Sequence, residues 1–320
     1  MEEAMDFLYL LENIRVPVLN EIMLLITRLG EETAFLVLAL IIFWCVDKYK
    51  GYYVLGVGLM GNLVNQFTKL VCRVPRPWIQ DPNFKPMPQA IEAASGYSFP
   101  SGHTQTAVGT FGSIVATLKQ RTIRIICIVL AVLVGFSRMY VGVHTPKDVL
   151  VGALTAIALV LILRPLMLGK GKRLIPYVFG VMLLCSIAFL LFVEFHPHPE
   201  LLDTHNYESA IKNAYTFLGC FVGILIVYFA DENSLRFSVE AVWWAQILKI
   251  VLGLAAVLLV KEGTRVPLDF LCGGHMIARS IRYCLIVVTA GIVWPLTFRW
   301  FGKMGKSETK SAEDLETTKG

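Results

Sequence analysis

A histidine and an aspartate near the middle of the chain have the spacing of a nucleophile and the carboxylate that orients it. His144 is followed by Thr145-Pro146 and then, four residues on, by Asp148. Threonine at an N-cap, proline at the first helical position and an acidic residue in the first turn predict that a helix begins here. The carboxylate would then lie near one imidazole nitrogen, leaving the other free to attack phosphorus.

A second histidine lies in the first turn of another predicted helix. The sequence Pro100-Ser101-Gly102-His103 comes directly before an apolar stretch. Ser101 suits the N-cap, and Gly102 would let a ligand approach the backbone. The free N–H groups of a helix N-terminus bind anions, and His103 would be placed to give a proton to a leaving oxygen.

Three cations end or follow apolar segments. Lys69 and Arg76 flank a turn that Pro75 and Pro77 constrain, and Arg138 ends a later apolar run. Arginine offers a planar fork of donors and lysine a compact charge, so Lys69 and Arg76 suit a phosphate clamp. Because buried charge needs partners, charges gathered at the ends of apolar segments indicate an active site.

The composition indicates which kind of scaffold must position these residues. Hydrophobic residues make up 56% of the 320 and charged residues 17%, with a mean hydropathy of +0.63. Soluble domains carry roughly 25% charged residues, so we predict a polytopic protein embedded in the bilayer. The net charge of +5 lies in short loops between apolar runs, which follows the positive-inside rule and argues against nucleic acid as a partner. The seven cysteines are odd in number and show no metal-ligand spacing, so we predict neither a disulfide framework nor a zinc site.

The apolar runs predict an interfacial helix followed by about nine membrane spans. Residues 1–30 alternate apolar and charged positions at helical spacing, which is typical of an amphipathic helix on a membrane surface. The predicted spans cover residues 33–46, 51–71, 102–118, 123–140, 146–163, 174–193, 214–229, 241–260 and 283–300. Basic loops alternate so that His103 and His144 face the extracytoplasmic side. The charged tail, residues 303–320, is predicted to be disordered.

Three motifs resemble, in order and without substitution, those of the type 2 phosphatidic acid phosphatase superfamily. That superfamily includes lipid phosphate phosphatases, glucose-6-phosphatase and vanadium haloperoxidases. The motifs are Lys69-(x6)-Arg76-Pro77, Pro100-Ser101-Gly102-His103 and Ser137-Arg138-(x5)-His144-(x3)-Asp148. The resemblance implies an all-α membrane bundle, with a six-helix catalytic core in residues 31–168 and about three further C-terminal helices in residues 169–302.

The resemblance also implies roles for the site residues. His144 would form a phosphohistidine, Asp148 would orient it, and His103 would be the general acid. The phosphoryl oxygens would be held, with no metal and no other cofactor, by Lys69, Arg76, Ser101, Gly102 and Arg138. The substrate implied is a lipid phosphate monoester in the bilayer, hydrolysed on the extracytoplasmic face.

Several alternatives remain open from the sequence. Residues 30–32, Phe43-Trp44, Asp47 and the extra spans resemble the sphingoid-base phosphate phosphatases, although Gly102 stands where that branch tends to have threonine. Polyprenyl diphosphates and sugar phosphates are alternative substrates. A lipid transporter or flippase is the alternative of a different class. The segment 261–279 echoes the order Lys, Arg, Pro, Gly-His, and we predict it to be an interfacial loop with helix caps.

Overall fold

The computed structural model describes residues 2–92, 94, 96–195 and 204–304. The α-helices are Glu2–Asn13 (α1), Pro17–Arg28 (α2), Glu32–Ile41 (α3), Lys48–Cys72 (α4), Pro77–Gln80 (α5), Pro88–Glu92 (α6), Gly102–Thr117 (α7), Arg121–Tyr140 (α8), Pro146–Met167 (α9), Ile175–Phe195 (α10), Thr204–Ala230 (α11), Trp243–Gly263 (α12), Arg265–Leu271 (α13), Ile277–Val288 (α14) and Phe298–Phe301 (α15). No β-strand occurs among the described residues, so the predicted all-α fold is confirmed.

Six helical segments are long and apolar enough to cross a membrane. They cover residues 121–140, 146–167, 169–195, 206–235, 243–271 and 277–301, counted over the described part of the chain. A seventh is the pair Pro17–Arg28 and Glu32–Val46, bent by 53°. These segments confirm a multi-pass membrane protein.

Helices α4 and α7, which the sequence predicts as spans, are more polar or shorter than those six. α4 has 25 residues and buries the side chains of Asn62, Asn65 and Lys69, whereas α7 has only 16 residues. Polar side chains in a membrane helix are stable where they face the protein interior and find partners. Both helices therefore carry polar groups of the site rather than a lipid-facing surface alone.

The N-terminal segment differs from its prediction. Instead of one interfacial helix over residues 1–30, α1 and α2 are separate, because Pro17 has no N–H to continue a helix and takes the first position of a new one. Helix α2 then meets α3 at a corner around Gly30. Residues 27–31 form this corner between α2 and α3.

The chain divides into two compact units. The first comprises Met1–Ala39 and Tyr52–Phe217, and the second comprises Leu40–Gly51 with the described residues from Leu218 onward. The predicted division between a catalytic core ending at residue 168 and further helices from residue 169 stays a prediction. Of the predicted disordered tail, residues 305–320 lie outside the described residues.

In the first unit, α7 packs closely against α8 and α9. Ala107, Phe111, Cys127 and Val134 form a buried cluster between α7 and α8. A β-carbon on Gly109 would contact Ala156 of α9 at 3.9 Å. Small residues let membrane helices approach until their backbones are close, and such packing holds the ends of these helices in fixed relation.

The second unit has its own buried polar contacts. The ammonium of Lys48 lies 2.6 Å from Asp231, and the amine of Lys249 donates to the carbonyl oxygens of Trp44 and Val239. Within the predicted loop 261–279 the structure forms α13, and Gly273 then takes a positive φ. Pro267 lies in the first turn of this helix, where proline is tolerated.

Candidate active site

The structure places the predicted site residues at helix ends within the first unit. The buried ones, with relative exposures of 0–6%, are Lys69, Arg76, Ser101, Arg138, His144 and Asp148. Gly102 and His103 are partly exposed, in the first turn of α7. Arg76 lies in the connection after α4, and His144 lies in the connection between α8 and α9. The two side chains are 3.0 Å apart, so these connections meet in one region of the fold.

His144 stands just before a helix start that Thr145 and Asp148 build together. The Thr145 N–H donates to Oδ2 of Asp148 at 2.8 Å, and the Asp148 N–H donates to the Thr145 hydroxyl at 3.4 Å, which completes a capping box. Oδ2 of Asp148 lies 3.5 Å from Nδ1 of His144. That distance is an electrostatic contact at the outer limit of hydrogen bonding, and it points the carboxylate at the nitrogen it was predicted to orient.

Arg76 lies directly against the other nitrogen of His144. Its Nη1 is 3.0 Å from Nε2 of His144 and donates to the Val143 carbonyl at 2.9 Å, while Nε donates to the Gly96 carbonyl at 3.0 Å. Arginine has only donors, so the lone pair of Nε2 must be the acceptor. Arg76 is therefore fixed beside the predicted nucleophilic atom.

Lys69 is held by the same segment that Arg76 holds. Its ammonium donates to the Tyr97 carbonyl at 2.7 Å, next to the residue whose carbonyl Arg76 binds. Gly96 has a φ of +72°, a backbone conformation that favours glycine. The turn at Gly96 thus brings two successive carbonyl groups onto two cations that end or follow α4.

The first turn of α7 is joined to α9 through Ser101. The Ser101 hydroxyl accepts from the Thr104 N–H at 3.4 Å, as an N-cap does, and the Ser101 N–H donates to the Asp148 carbonyl at 3.0 Å. A β-carbon on Gly152 would lie 2.6 Å from the Ser101 carbonyl oxygen, so only glycine fits there. Nε2 of His103 is buried without a hydrogen-bond partner among the described residues.

Arg138 is fully surrounded by protein. Its Nη1 donates to the hydroxyl of Thr27 at 2.6 Å, and its Nε is buried without a hydrogen-bond partner in the part of the chain that is described. The guanidinium is thus anchored through Nη1, while its Nε–H has no partner among the described residues. A bound oxyanion would satisfy that donor.

Sequence reasoning missed three sets of polar partners. The Ser98 hydroxyl donates to Oδ2 of Asp148 at 2.6 Å, and Thr27 anchors Arg138. Behind Gly102, Nδ2 of Asn65 donates to Oε1 of Gln105 at 2.8 Å. Asn65 was visible as a polar residue in an apolar helix, but Ser98 and Thr27 carry no local signal because their partners lie 50 and 111 residues away.

The surroundings of His144 favour its neutral form. Burial lowers the pKa of His144 well below its ordinary value, and the neighbouring charges of Arg76, Arg138 and Lys69 lower it further. Burial also lowers the pKa of Arg76 to about 10, so the guanidinium stays charged at neutral pH. Three cations around one carboxylate make this a site for an anion, and a neutral imidazole has the lone pair that a nucleophile needs.

The described parts of the chain contain no cluster of side chains that could bind a metal ion. Within those residues no three histidine, cysteine, aspartate or glutamate side chains come together as a metal site. The polar groups at the helix ends are mostly hydrogen-bond donors. Donors of this kind suit phosphoryl oxygens.

Comparison with known proteins agrees with this description. The PAP2 superfamily profile matches residues 50–172, and the PAP2 superfamily phosphatase transmembrane extension matches residues 215–306. Phosphatidylglycerophosphatase B of Bacillus subtilis is 37% identical over 43% of this chain and 70% of its own length. Undecaprenyl-diphosphatase BcrC of the same organism is 34% identical over 44% and 70%, and human sphingosine-1-phosphate phosphatase 2 is 26% identical over 43% and 35%.

The helices and the cationic site at their ends define an integral-membrane phosphatase. The chain belongs to the PAP2 superfamily, as its motifs predict, and carries that superfamily's transmembrane extension. It is therefore a phosphoric monoester hydrolase of the membrane lipid phosphatase kind. The C-terminal helices of the second unit fall within the extension.

Proposed function

We propose that the protein hydrolyses a lipid phosphate monoester through a phosphohistidine on His144, on the extracytoplasmic side of the membrane. The observation that carries this proposal is the position of His144 between two groups. Nδ1 faces the carboxylate of Asp148 at 3.5 Å, and Nε2 lies 3.0 Å from the guanidinium of Arg76. One nitrogen is thus oriented by a carboxylate while the other lies beside a phosphate-binding cation.

In the first half of the reaction, Nε2 of His144 attacks the phosphorus atom. A P–N bond forms as the bond to the ester oxygen breaks, and a proton from His103 goes to the leaving alcohol. Asp148 stabilises the positive charge that grows on the ring of His144. The negative charge on the phosphoryl oxygens is stabilised by Lys69, Arg76 and Arg138 and by the N–H groups at the start of α7.

In the second half, water attacks the phosphohistidine. His103, now without its proton, accepts one from the water as the P–N bond breaks. Inorganic phosphate is released, and the neutral ring of His144 is restored. The proton given to the alcohol is thus recovered from water, and the mechanism assigns no step to a metal or cofactor.

A lipid is favoured as the substrate because the site lies at the ends of lipid-exposed helices. The named relatives act on a phosphatidylglycerophosphate, an undecaprenyl diphosphate and sphingosine 1-phosphate, all phosphates joined to long apolar chains. We propose a phosphate monoester such as a sphingoid-base phosphate or a phosphatidate. An undecaprenyl diphosphate is the second candidate, because the relative that acts on it is 34% identical.

The directions of α7 and α9 support the proposed side of the membrane. Both helices begin at the site, and the chain beyond their ends carries the basic residues Lys119, Arg121, Lys170 and Lys172. Basic loops lie on the cytoplasmic side, so we propose that the site lies on the other side. Cys72, exposed at the end of α4, supplies a native probe.

Turnover by purified protein in detergent tests the proposed chemistry. The substrates are a sphingoid-base phosphate, a phosphatidate, undecaprenyl diphosphate and glucose 6-phosphate, each supplied at equal concentration. We expect the parent to release phosphate from the lipid monoesters fastest, and we expect His144→Ala and His103→Ala to lose at least 100-fold. A His144→Ala protein with parent turnover would refute the phosphohistidine, and lipid transport into liposomes that survives both substitutions would favour a flippase.

Labelling of intact cells tests the orientation. A membrane-impermeant maleimide added outside should modify Cys72 of the parent and leave the Cys72→Ser variant unlabelled at that position. Labelling of Cys72 only after the membrane is opened would place the site on the cytoplasmic side.

A further inference from the structure

The corner between α2 and α3 contacts two of the predicted site residues, although it lies outside the part of the chain that the PAP2 profile matches. Thr27 in α2 accepts a hydrogen bond of 2.6 Å from Nη1 of Arg138. Gly30 lies so close to the first turn of α7 that a β-carbon there would be 2.8 Å from the carbonyl oxygen of His103. One short stretch of chain therefore touches both Arg138 and His103.

The contact between Thr27 and Arg138 has the features of an orienting bond. Thr27 is 8% exposed and Arg138 1%, so neither group can replace the bond with bulk water. A guanidinium donates through five N–H groups arranged in one plane, so holding one of them restricts the directions of the others. With Nη1 held by Thr27, the plane that carries the unpartnered Nε has fewer orientations open to it.

A second contact keeps α2 in register with the end of α8. The Tyr140 hydroxyl donates to Oδ1 of Asn20 at 2.8 Å, and Asn20 is seven residues before Thr27. Seven residues are about two helical turns, so Asn20 and Thr27 share one face of α2. That face is bonded to the end of α8 at two places, Tyr140 and Arg138.

The contact at Gly30 acts on the backbone rather than on a side chain. A β-carbon at this position would also meet Cγ1 of Val134 at 2.8 Å and Cβ of His103 at 3.0 Å. Separations below 3.0 Å require the neighbour to move, and a carbonyl group in a helix moves only with its helix. Glycine at position 30 thus lets the first turn of α7 lie directly against the corner, and a larger residue would push that turn away.

We propose that the corner is a positioning element of the phosphatase site: Thr27 orients Arg138 toward the phosphoryl group, and Gly30 sets the position of His103. This inference rests on the proposed function, because it assigns no contact between the corner and the substrate. It adds two positioning residues to the motifs from which the family is identified. Neither residue is expected to take part in proton or phosphoryl transfer.

Substitutions at Thr27 test the first half of the inference. Thr27→Val keeps the shape and removes the acceptor, whereas Thr27→Ser keeps the hydroxyl. Because hydrogen bonds to charged groups are strong, we expect Thr27→Val to lower kcat/KM about 10-fold or more and to weaken inhibition by vanadate by a similar factor. Thr27→Ser should stay within about 3-fold of the parent. Thr33→Val, at an exposed threonine of α3, is the matched control and should change neither quantity.

Arg138→Ala distinguishes failure of this inference from failure of the proposed function. If Arg138→Ala is impaired and Thr27→Val has parent kcat/KM, the inference is wrong and the proposed function stands. If Arg138→Ala itself keeps parent activity, the assignment of Arg138 to the phosphate is wrong. In the Arg138→Ala background, Thr27→Val should have no further effect, since the group it positions has been removed.

Gly30→Ala tests the second half against Gly180→Ala, a helical glycine where an added β-carbon meets no atom within 4 Å. We expect Gly30→Ala to lower kcat more than it raises KM, because His103 acts in bond cleavage. Gly180→Ala should retain parent kcat. A merely structural role would lower the melting temperature and kcat together in Gly30→Ala and Thr27→Val, with Thr27→Ser failing to restore vanadate affinity. That pattern would overturn the inference.

Discussion

Nη1 of Arg76 lies 3.0 Å from Nε2 of His144, and both side chains are buried. Since a guanidinium cannot accept a hydrogen bond, Nε2 must present its lone pair, and the proton of the neutral ring then belongs on Nδ1, which faces Asp148. This is the tautomer that a phosphohistidine mechanism requires. Arg76 contacts the lone pair of Nε2, and in the proposed mechanism it also binds the phosphoryl oxygens. Arg76 would therefore contact both His144 and the substrate.

The activity should persist at pH values below the ordinary pKa of histidine. Burial and three cations lower the pKa of His144 below 6.5, so the neutral, nucleophilic form survives as the pH falls past that value. We expect the acidic limb of the kcat/KM profile, measured in detergent with a lipid phosphate, to lie below pH 6.5, where the ring of His144 takes up a proton.

Lys69→Met supplies the control for this pH profile. Removing one of the three cations raises the pKa of His144 toward 6.5, so the acidic limb of the residual activity should move to higher pH. An acidic limb at or above pH 6.5 in the parent would contradict the environment described for His144.

Loss of the Ser98 hydroxyl should slow the chemistry with little effect on substrate binding. The hydroxyl donates to Oδ2 of Asp148 at 2.6 Å, the oxygen that also faces His144. We expect Ser98→Ala to lower kcat about 10-fold with KM nearly unchanged, since the bond orients a charged group. Steady-state kinetics measures both constants.

Ser113→Ala is the matched variant for Ser98→Ala. Ser113 is also fully buried, but its hydroxyl donates to the Gly109 carbonyl within α7 rather than to Asp148. Its kcat should equal that of the parent. Equal losses in the two variants would mean that removal of any buried serine hydroxyl disturbs the fold, and Ser98 would then have no special relation to Asp148.

A β-carbon at position 152 should destabilise the protein by separating α9 from Ser101. The carbon would lie 2.6 Å from the Ser101 carbonyl oxygen, which belongs to the N-cap of α7. Overpacking of this kind costs about 1–3 kcal/mol, so Gly152→Ala should unfold at a lower temperature than the parent. Gly180→Ala, where there is open space, should not; a Gly152→Ala protein with parent stability would contradict the close contact.

The second unit offers a test of its buried ion pair. The side chain of Asp231 is 0% exposed and that of Lys48 16%, with 2.6 Å between their charged atoms. Lys48→Met leaves a buried carboxylate uncompensated and should destabilise by about 3 kcal/mol, as thermal unfolding in detergent measures. The double variant Lys48→Met with Asp231→Leu should recover much of that loss.

An exposed ion pair provides the comparison for Lys48. Lys212 and Glu208 lie 3.2 Å apart with side chains 43% and 58% exposed. Surface pairs contribute little, so Lys212→Met should leave the unfolding temperature unchanged. If Lys48→Met were equally silent, the pair in the second unit would have no stabilising role.

The helix starts of the site could be predicted because their signals are local. Thr145, Pro146 and Asp148 announce the start of α9 within four residues, and the structure places the helix and its capping box there. The separate helices α1 and α2 were missed although Pro17 signalled the break, because the amphipathic pattern continues across it. The amphipathic pattern predicts which face of a helix is apolar, whereas Pro17 predicts where one helix ends and the next begins.

The partners of the site residues could not be predicted in the same way. Thr27 meets Arg138 across 111 residues, and Ser98 meets Asp148 across 50. Such contacts depend on how α2, α7, α8 and α9 pack, and a lone threonine or serine can equally bond to the backbone of its own segment. The catalytic roles assigned from the motifs stay predictions until the proposed variants are measured.

The capping box at Thr145 and Asp148 gives a part in folding to the same carboxylate for which we propose a part in catalysis. Active sites are often strained, so the loss of a catalytic side chain can leave a protein that is inert but stable. Here a change at Asp148 removes one half of the capping box as well as the proposed orienting group. Inactive variants at this position would therefore also be less stable. Chaperones and proteases act on unfolded protein, so such variants would be degraded faster than the parent.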